Sequence, residues 1–97
     1  MEIVSFDDVE ANGYDICFAH SGCSGNADVI ILDIASIFDY EEKKHELCKE
    51  KFTSVSIIDD PSDYDAFKNF GINAWIKRSD IAQLPNLLNE IKLRMGL

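Results

Sequence analysis

Ala27-Asp28-Val29-Ile30-Ile31-Leu32-Asp33-Ile34 constrains this chain more than any other stretch. Four apolar residues run unbroken from Val29 to Leu32 and end on Asp33. Gly25-Asn26 bounds the run on one side, and a polar, helix-like segment follows on the other. A short β-branched run of this kind reads as a strand buried on both faces. Such strands belong to parallel sheets with helices packed above and below. In open parallel sheets, ligands bind beyond the carboxyl ends of the strands. Asp33 stands at such an end, where chemistry or binding is expected. Its simpler role would be to end the strand or cap the turn that follows.

The rest of the chain is arranged around that strand. Ile3, Val4 and Phe6 predict a first strand, ending in Asp7-Asp8. Asn12-Gly13 marks a tight turn, and Ile16-Cys17-Phe18-Ala19 predicts a second strand. The segment between these two strands is short and lacks helical periodicity. An antiparallel N-terminal β-hairpin is therefore expected, because a parallel crossover ordinarily takes a dozen residues or more. His20 to Asn26 reads as a loop. Beyond the central strand, the pattern predicts a helix over 40–51 and a strand over 53–58, stopped by Asp59-Asp60-Pro61. A short helix over 63–70 is closed by Gly71. A strand over 73–76 leads into Lys77-Arg78, with Trp75 expected in the core. Ile81, Leu84, Leu88, Ile91 and Met95 repeat at helical spacing, and Pro85 either kinks that helix or opens its first turn. Strand and helix alternate from residue 28 onward, which implies parallel strands with helices on the faces. Residues 1–97 form one domain of α/β class.

Charge narrows the function. The chain carries a net charge of −9, and residues 1–42 hold ten acids and no Lys or Arg. Direct nucleic-acid binding needs a basic face and is not expected. A cation or a basic partner surface suits the acidic half better. No apolar stretch approaches the roughly 20 residues of a membrane span. No secretory leader is visible, so a cytoplasmic location and reduced thiols are expected for Cys17, Cys23 and Cys48. The spacings His20-x-x-Cys23 and His45-x-x-Cys48 leave a tetrahedral zinc site as an alternative.

Taken together, these residues resemble a response-regulator receiver domain. The family's phosphoacceptor strand reads as an apolar run closed by Asp, which Ala27–Ile34 matches. Its first strand ends in an acid pair, similar to Asp7-Asp8. Its last strand ends in a lysine, similar to Asn73-Ala74-Trp75-Ile76-Lys77. The resemblance implies a flavodoxin-like receiver fold with about five mainly parallel strands. It also implies a Mg²⁺ site on Asp7, Asp8 and Asp33, Asp33 as phosphoacceptor and Lys77 against the phosphoryl group. Oxygen ligands of this kind suit a hard cation, and the metal would shield the phosphoryl oxygens during transfer.

Four departures weigh against that chemistry. The chain is short between its first two strands, so the first helix is missing or reduced. Such a loss would bare an apolar patch favouring a homodimer or docking on a partner. Asp59 stands where the family places a Thr or Ser, and its charge would repel a phosphoryl group. Arg78 replaces the usual proline after the lysine. Ala74 replaces the aromatic switch residue. The expectation is an atypical, receiver-like (pseudo-receiver) signalling domain that works by protein–protein contact with a kinase, regulator or output protein. It would have no enzymatic activity of its own, and any DNA-binding or enzymatic output would lie on another chain. A short but active phosphoacceptor with Mg²⁺-dependent phosphorylation at Asp33 is the alternative, alongside the His/Cys metal protein.

Overall fold

The computed structural model describes all residues, Met1–Leu97. Five strands form one sheet: β1 (Ile3–Ser5), β2 (Ile16–Phe18), β3 (Ala27–Leu32), β4 (Cys48–Ile58) and β5 (Ala74–Lys77). Their order is β2-β1-β3-β4-β5, and every neighbouring pair is parallel. Three α-helices complete the chain: α1 (Ile37–Leu47), α2 (Asp63–Phe67) and α3 (Leu84–Met95). This order is compatible with a flavodoxin-like doubly wound sheet.

The sheet is covered on both sides, and the side-chain alternation of a strand sorts the core into two layers. Ile3, Val29, Ile31, Val55, Ile57 and Ile76 face α3, where Leu84, Leu88 and Ile91 close the layer. Val4, Ile30, Leu32 and Ile58 face the other way, onto Ile37 and Tyr40 of α1 and Phe67 of α2. All six residues of β3 are buried. The unbroken apolar run is thus explained by a strand that meets a packed layer on each face.

The expected N-terminal hairpin is absent, because β1 and β2 pair in parallel with Ile3 opposite Ile16 and Ser5 opposite Phe18. The reason is strand length. A three-residue strand spans only about 10 Å at roughly 3.3 Å per residue, and an extended chain returns that distance in about three residues. Residues 6–15 therefore complete the crossover without a helix. The next connection, residues 19–26, steps across β1 to reach β3 with only a 3₁₀ turn at Ala19–Ser21. The first helix is missing, as the length suggested, and this connection also lacks an α-helix. The bare patch does not follow, however. Ala11 is buried, Val9 and Tyr14 pack on the α3-side core, and the Tyr14 hydroxyl donates to Asn89 Oδ1 of α3.

The limits of α1 and β4 differ from the sequence reading. α1 begins at Ile37 and ends at Leu47, and β4 starts at once with Cys48. Lys49 and Lys51 consequently lie on an irregular strand segment, where the β3–β4 register shifts between Ala27 and Val29. Lys49 uses that position to reach Asp28 Oδ1 at 3.0 Å. Pro85 occupies the first turn of α3, preceded by a separate 3₁₀ stretch from Arg78 to Gln83. Cys17 and Cys23 form a disulfide across a Cα–Cα distance of 6.1 Å, which corrects the expectation of reduced thiols for that pair. Cys48 is free and buried.

Candidate functional site

The carboxyl ends of β1, β3, β4 and β5 lie side by side, and each delivers a charged residue. Asp7 lies just beyond β1, Asp33 follows β3, Asp59 follows β4, and Lys77-Arg78 closes β5. Register explains the grouping. Ile58 lies opposite Lys77 in the β4–β5 pair, so the next residues, Asp59 and Arg78, emerge together.

Arg78 organises this edge. Its Nε donates to Asp59 Oδ1 at 2.8 Å and its Nη2 to Asp59 Oδ2 at 3.3 Å, a two-point grip on one carboxylate. Its Nη1 donates to Asp7 Oδ2 at 2.5 Å. The same guanidinium stands 3.7 Å from Asp33 Oδ2. One planar cation thus faces three carboxylates, each from a different strand end. The hydrogen bond to Arg78 holds the Asp59 carboxyl below its ordinary range. Hydrogen bonds to Asp59 and then Asp7 raise the Arg78 guanidinium further, against the burial that opposes its charge.

Local turn chemistry aims Asp59 at Arg78. The buried Asp63 at the start of α2 accepts the backbone N–H groups of Asp59 at 3.0 Å and Asp60 at 3.1 Å. Asp60 in turn accepts the Ser62 N–H and hydroxyl, which lower its carboxyl. Asp-x-Ser and Asp-Pro stretches favour this kind of side-chain-locked turn. Asp59 therefore does more than end a strand before Pro61.

Asp33 is partly buried and caps the turn at Ile34–Ser36. Its Oδ1 accepts the Ser36 N–H at 3.1 Å and the Ser36 hydroxyl at 2.7 Å, while its own N–H donates to Ser36 Oγ at 3.0 Å. This reciprocal capping box satisfies orphan donors at a helix start. Asp33 Oδ2 carries no hydrogen bond and is the oxygen turned toward Arg78.

The other expected site residues are dispersed or engaged differently. Asp8 is exposed, makes no ion pair, and donates its N–H to Asp7 Oδ1. Lys77 is exposed and forms no ion pair; it lines a shallow depression with Asp59, Asp60, Tyr64 and Ser79. No three of the acids, histidines and cysteines are grouped as a metal centre. Between Asp7 and Asp33, where the resemblance implies Mg²⁺, stands the Arg78 guanidinium, 2.5 Å from Asp7 Oδ2 and 3.7 Å from Asp33 Oδ2. The His/Cys set is also split. Cys23 is bonded to Cys17, the His20 ring packs edge-on against Phe6 and Phe18, and His45 packs against Phe52. Burial pushes the Cys48 thiol up to about 11. Trp75 is not core; it is half exposed on the edge strand, beside the Tyr64 ring. Ser56, at the β4 position nearest a phosphoryl-contacting hydroxyl, points into the α1–α2 layer, with its Oγ buried and unpartnered.

The residue the sequence reading missed is Arg78. Taken alone, Arg78 reads as a missing proline and Asp59 as a missing Thr or Ser. The signal joining them was present: in parallel neighbours, residues one step past paired strand ends are neighbours in space.

No helix is long and apolar enough to cross a membrane. Comparison with family models, with curated proteins and with solved structures finds no match to this chain.

Proposed function

We propose that this chain is a receiver-like signalling domain of flavodoxin-like fold that acts by protein–protein interaction and does not carry out phosphotransfer. The observation that carries the reading is the Arg78 guanidinium held among Asp7, Asp33 and Asp59. A Mg²⁺ ion demands a near-octahedral oxygen set and keeps several waters. Arg78 supplies positive charge to the same carboxylates without an ion and leaves no vacant oxygen pair between Asp7 and Asp33. A phosphoryl group on Asp33 would meet the Asp59 carboxylate, with the compensating cation already committed. Arg78 thereby offsets part of the negative charge of this edge and ties β5 to β4 and to the Asp7 turn. In such a domain the surface does the signalling.

The test is an amide NMR titration with Mg²⁺, then with Mg²⁺ plus beryllium fluoride, a mimic of the aspartyl phosphate. The wild-type spectrum stays unchanged at Asp7, Asp33 and Lys77. Arg78→Ala, which frees the three carboxylates, gains Mg²⁺-dependent shifts at Asp7 and Asp33. Saturable wild-type shifts at Asp7, Asp33 and Lys77, lost in Asp33→Asn, would overturn the proposal. They would establish the active phosphoacceptor instead, a reading favoured by the free Oδ2 of Asp33.

A further inference from the structure

The start of α1 and the far end of the α2 segment leave an apolar seam uncovered. Phe38 is 78% exposed, the most open aromatic in the chain, and its only aromatic partner is Phe70, edge-on at 6.4 Å. Ile34, just past Asp33, is 36% exposed in the turn that packs against α2 and the end of β4. Phe38 meets Phe70 and Ile34 stands one turn before it, so these side chains form a patch and not singly scattered surface residues.

The rim of the seam is acidic and unpaired. Asp39 and Glu42 lie one and four residues after Phe38 on α1, are exposed, and form no ion pair. Arg78 is engaged with its three carboxylates, and neither Asp39 nor Glu42 is paired with a cation. Charge therefore selects the occupant. A second copy of this chain would bring the same acids face to face, at a net charge of −9 each. Nucleic acid and anionic lipid are repelled for the same reason.

We infer that the Ile34–Phe38–Phe70 seam docks a basic amphipathic segment of a partner protein. Its apolar side chains cover Phe38 and Ile34, and its Lys or Arg side chains meet Asp39 and Glu42. A helix with an apolar stripe flanked by basic residues has this chemistry. The inference rests on the proposed interaction role and names the class of partner.

The test uses the full chain and a synthetic helix-forming peptide of leucine and lysine with all leucines on one face. A scrambled peptide of the same composition is the control. Binding is followed by amide shifts and by calorimetry. The ordered peptide is expected to bind saturably, with shifts centred on residues 34–42 and 70. Phe38→Ser should weaken it about tenfold, as for an aromatic anchor. Asp39→Lys with Glu42→Lys should weaken it by a similar factor and flatten its salt dependence. Phe38 and both acids are exposed, so these variants keep the core. Equal binding of the scrambled peptide, or shifts centred on Trp75 and Tyr64, would overturn the inference. So would concentration-dependent dimerisation abolished by Phe38→Ser, or Phe38-dependent sedimentation with phosphatidylcholine vesicles. The Mg²⁺ and fluoride titration reads Asp7, Asp33 and Lys77 independently, so failure of the peptide leaves that result standing, and the reverse.

Discussion

Replacing Arg78 with Ala removes one cation and leaves three carboxylates facing each other, so it is the sharpest test of the carboxyl edge. The magnitude can be built from the contacts. The Asp59 pair is two-pointed but more than a third exposed on both sides, at 40% for Arg78 and 41% for Asp59. Solvent screening reduces it to about 0.5 kcal/mol. The Asp7 contact is short and its carboxylate only 22% exposed; a charged hydrogen bond in that setting contributes about 1 kcal/mol after discount. Asp33, at 3.7 Å, adds a few tenths. The expected loss is about 2 kcal/mol, or roughly 10 °C in Tm for a domain of this size. Urea denaturation followed by circular dichroism measures it. The sign with pH follows from Asp59. Arg78 depresses its carboxyl in the folded chain, so the stabilisation is fully present above the ordinary Asp value of about 3.9 and is lost as pH falls through the depressed value. The gap between wild type and Arg78→Ala should hold at neutral pH and narrow in acid by the Asp59 share. Arg78→Lys, which keeps the charge without the planar fork, should fall between them. A variant as stable as wild type at neutral pH, or a gap that persists undiminished in acid, would refute the reasoning.

Three other outcomes follow from the packing. Ser56 Oγ is buried without a partner, so Ser56→Ala should be neutral or stabilise by up to about 1 kcal/mol; a clear loss in urea denaturation would mean the hydroxyl is bonded. Cys48 is buried with its thiol pushed up to about 11. At mildly alkaline pH iodoacetamide should therefore leave Cys48 unmodified in the folded chain and label it in urea, as read by mass spectrometry; rapid native labelling would contradict this burial. A Cβ on Gly25 would lie 2.9 Å from the Glu46 carbonyl oxygen, at a backbone φ of +83°. Gly25→Ala should then cost about 2 kcal/mol, and unchanged thermal melting would show that the turn before β3 yields easily.

Much of the fold was legible because it rests on local patterns. The apolar run of β3, the Ile81–Met95 stripe and Gly71 after the short helix each carry their own physical signal, and each element formed where that signal lay. The N-terminal third misled because the length rule for parallel crossovers assumes strands of ordinary length. With three residues in β1 and three in β2, the return path shrinks and the rule loses its force. α1 ended early for a different reason. The Lys49–Lys51 segment is compatible with helix by propensity, but Cys48 is buried against the α1 side of the sheet and Lys49 pairs with the buried Asp28. Tertiary contacts outweighed a weak local preference.

The carboxyl edge was illegible for a reason that bears on its function. Read singly, Asp59 is an anion where a hydroxyl is expected, and Arg78 is a cation where a proline is expected. Each looks like decay of a phosphorylation pocket. Read as a pair, they are an anion and a cation at aligned ends of adjacent strands, Ile58 opposite Lys77, in hydrogen-bond contact. Without a cation, Asp7 and Asp33 would be neighbouring, mutually repelling carboxylates at this edge. Here that repulsion is relieved by Arg78, whose own orientation is set by Asp59, which is aimed in turn by the backbone bonds to Asp63. The chain of contacts runs from α2 through Asp59 and Arg78 to the Asp7 turn, so each of these loops is tied to its neighbour by at least one hydrogen bond.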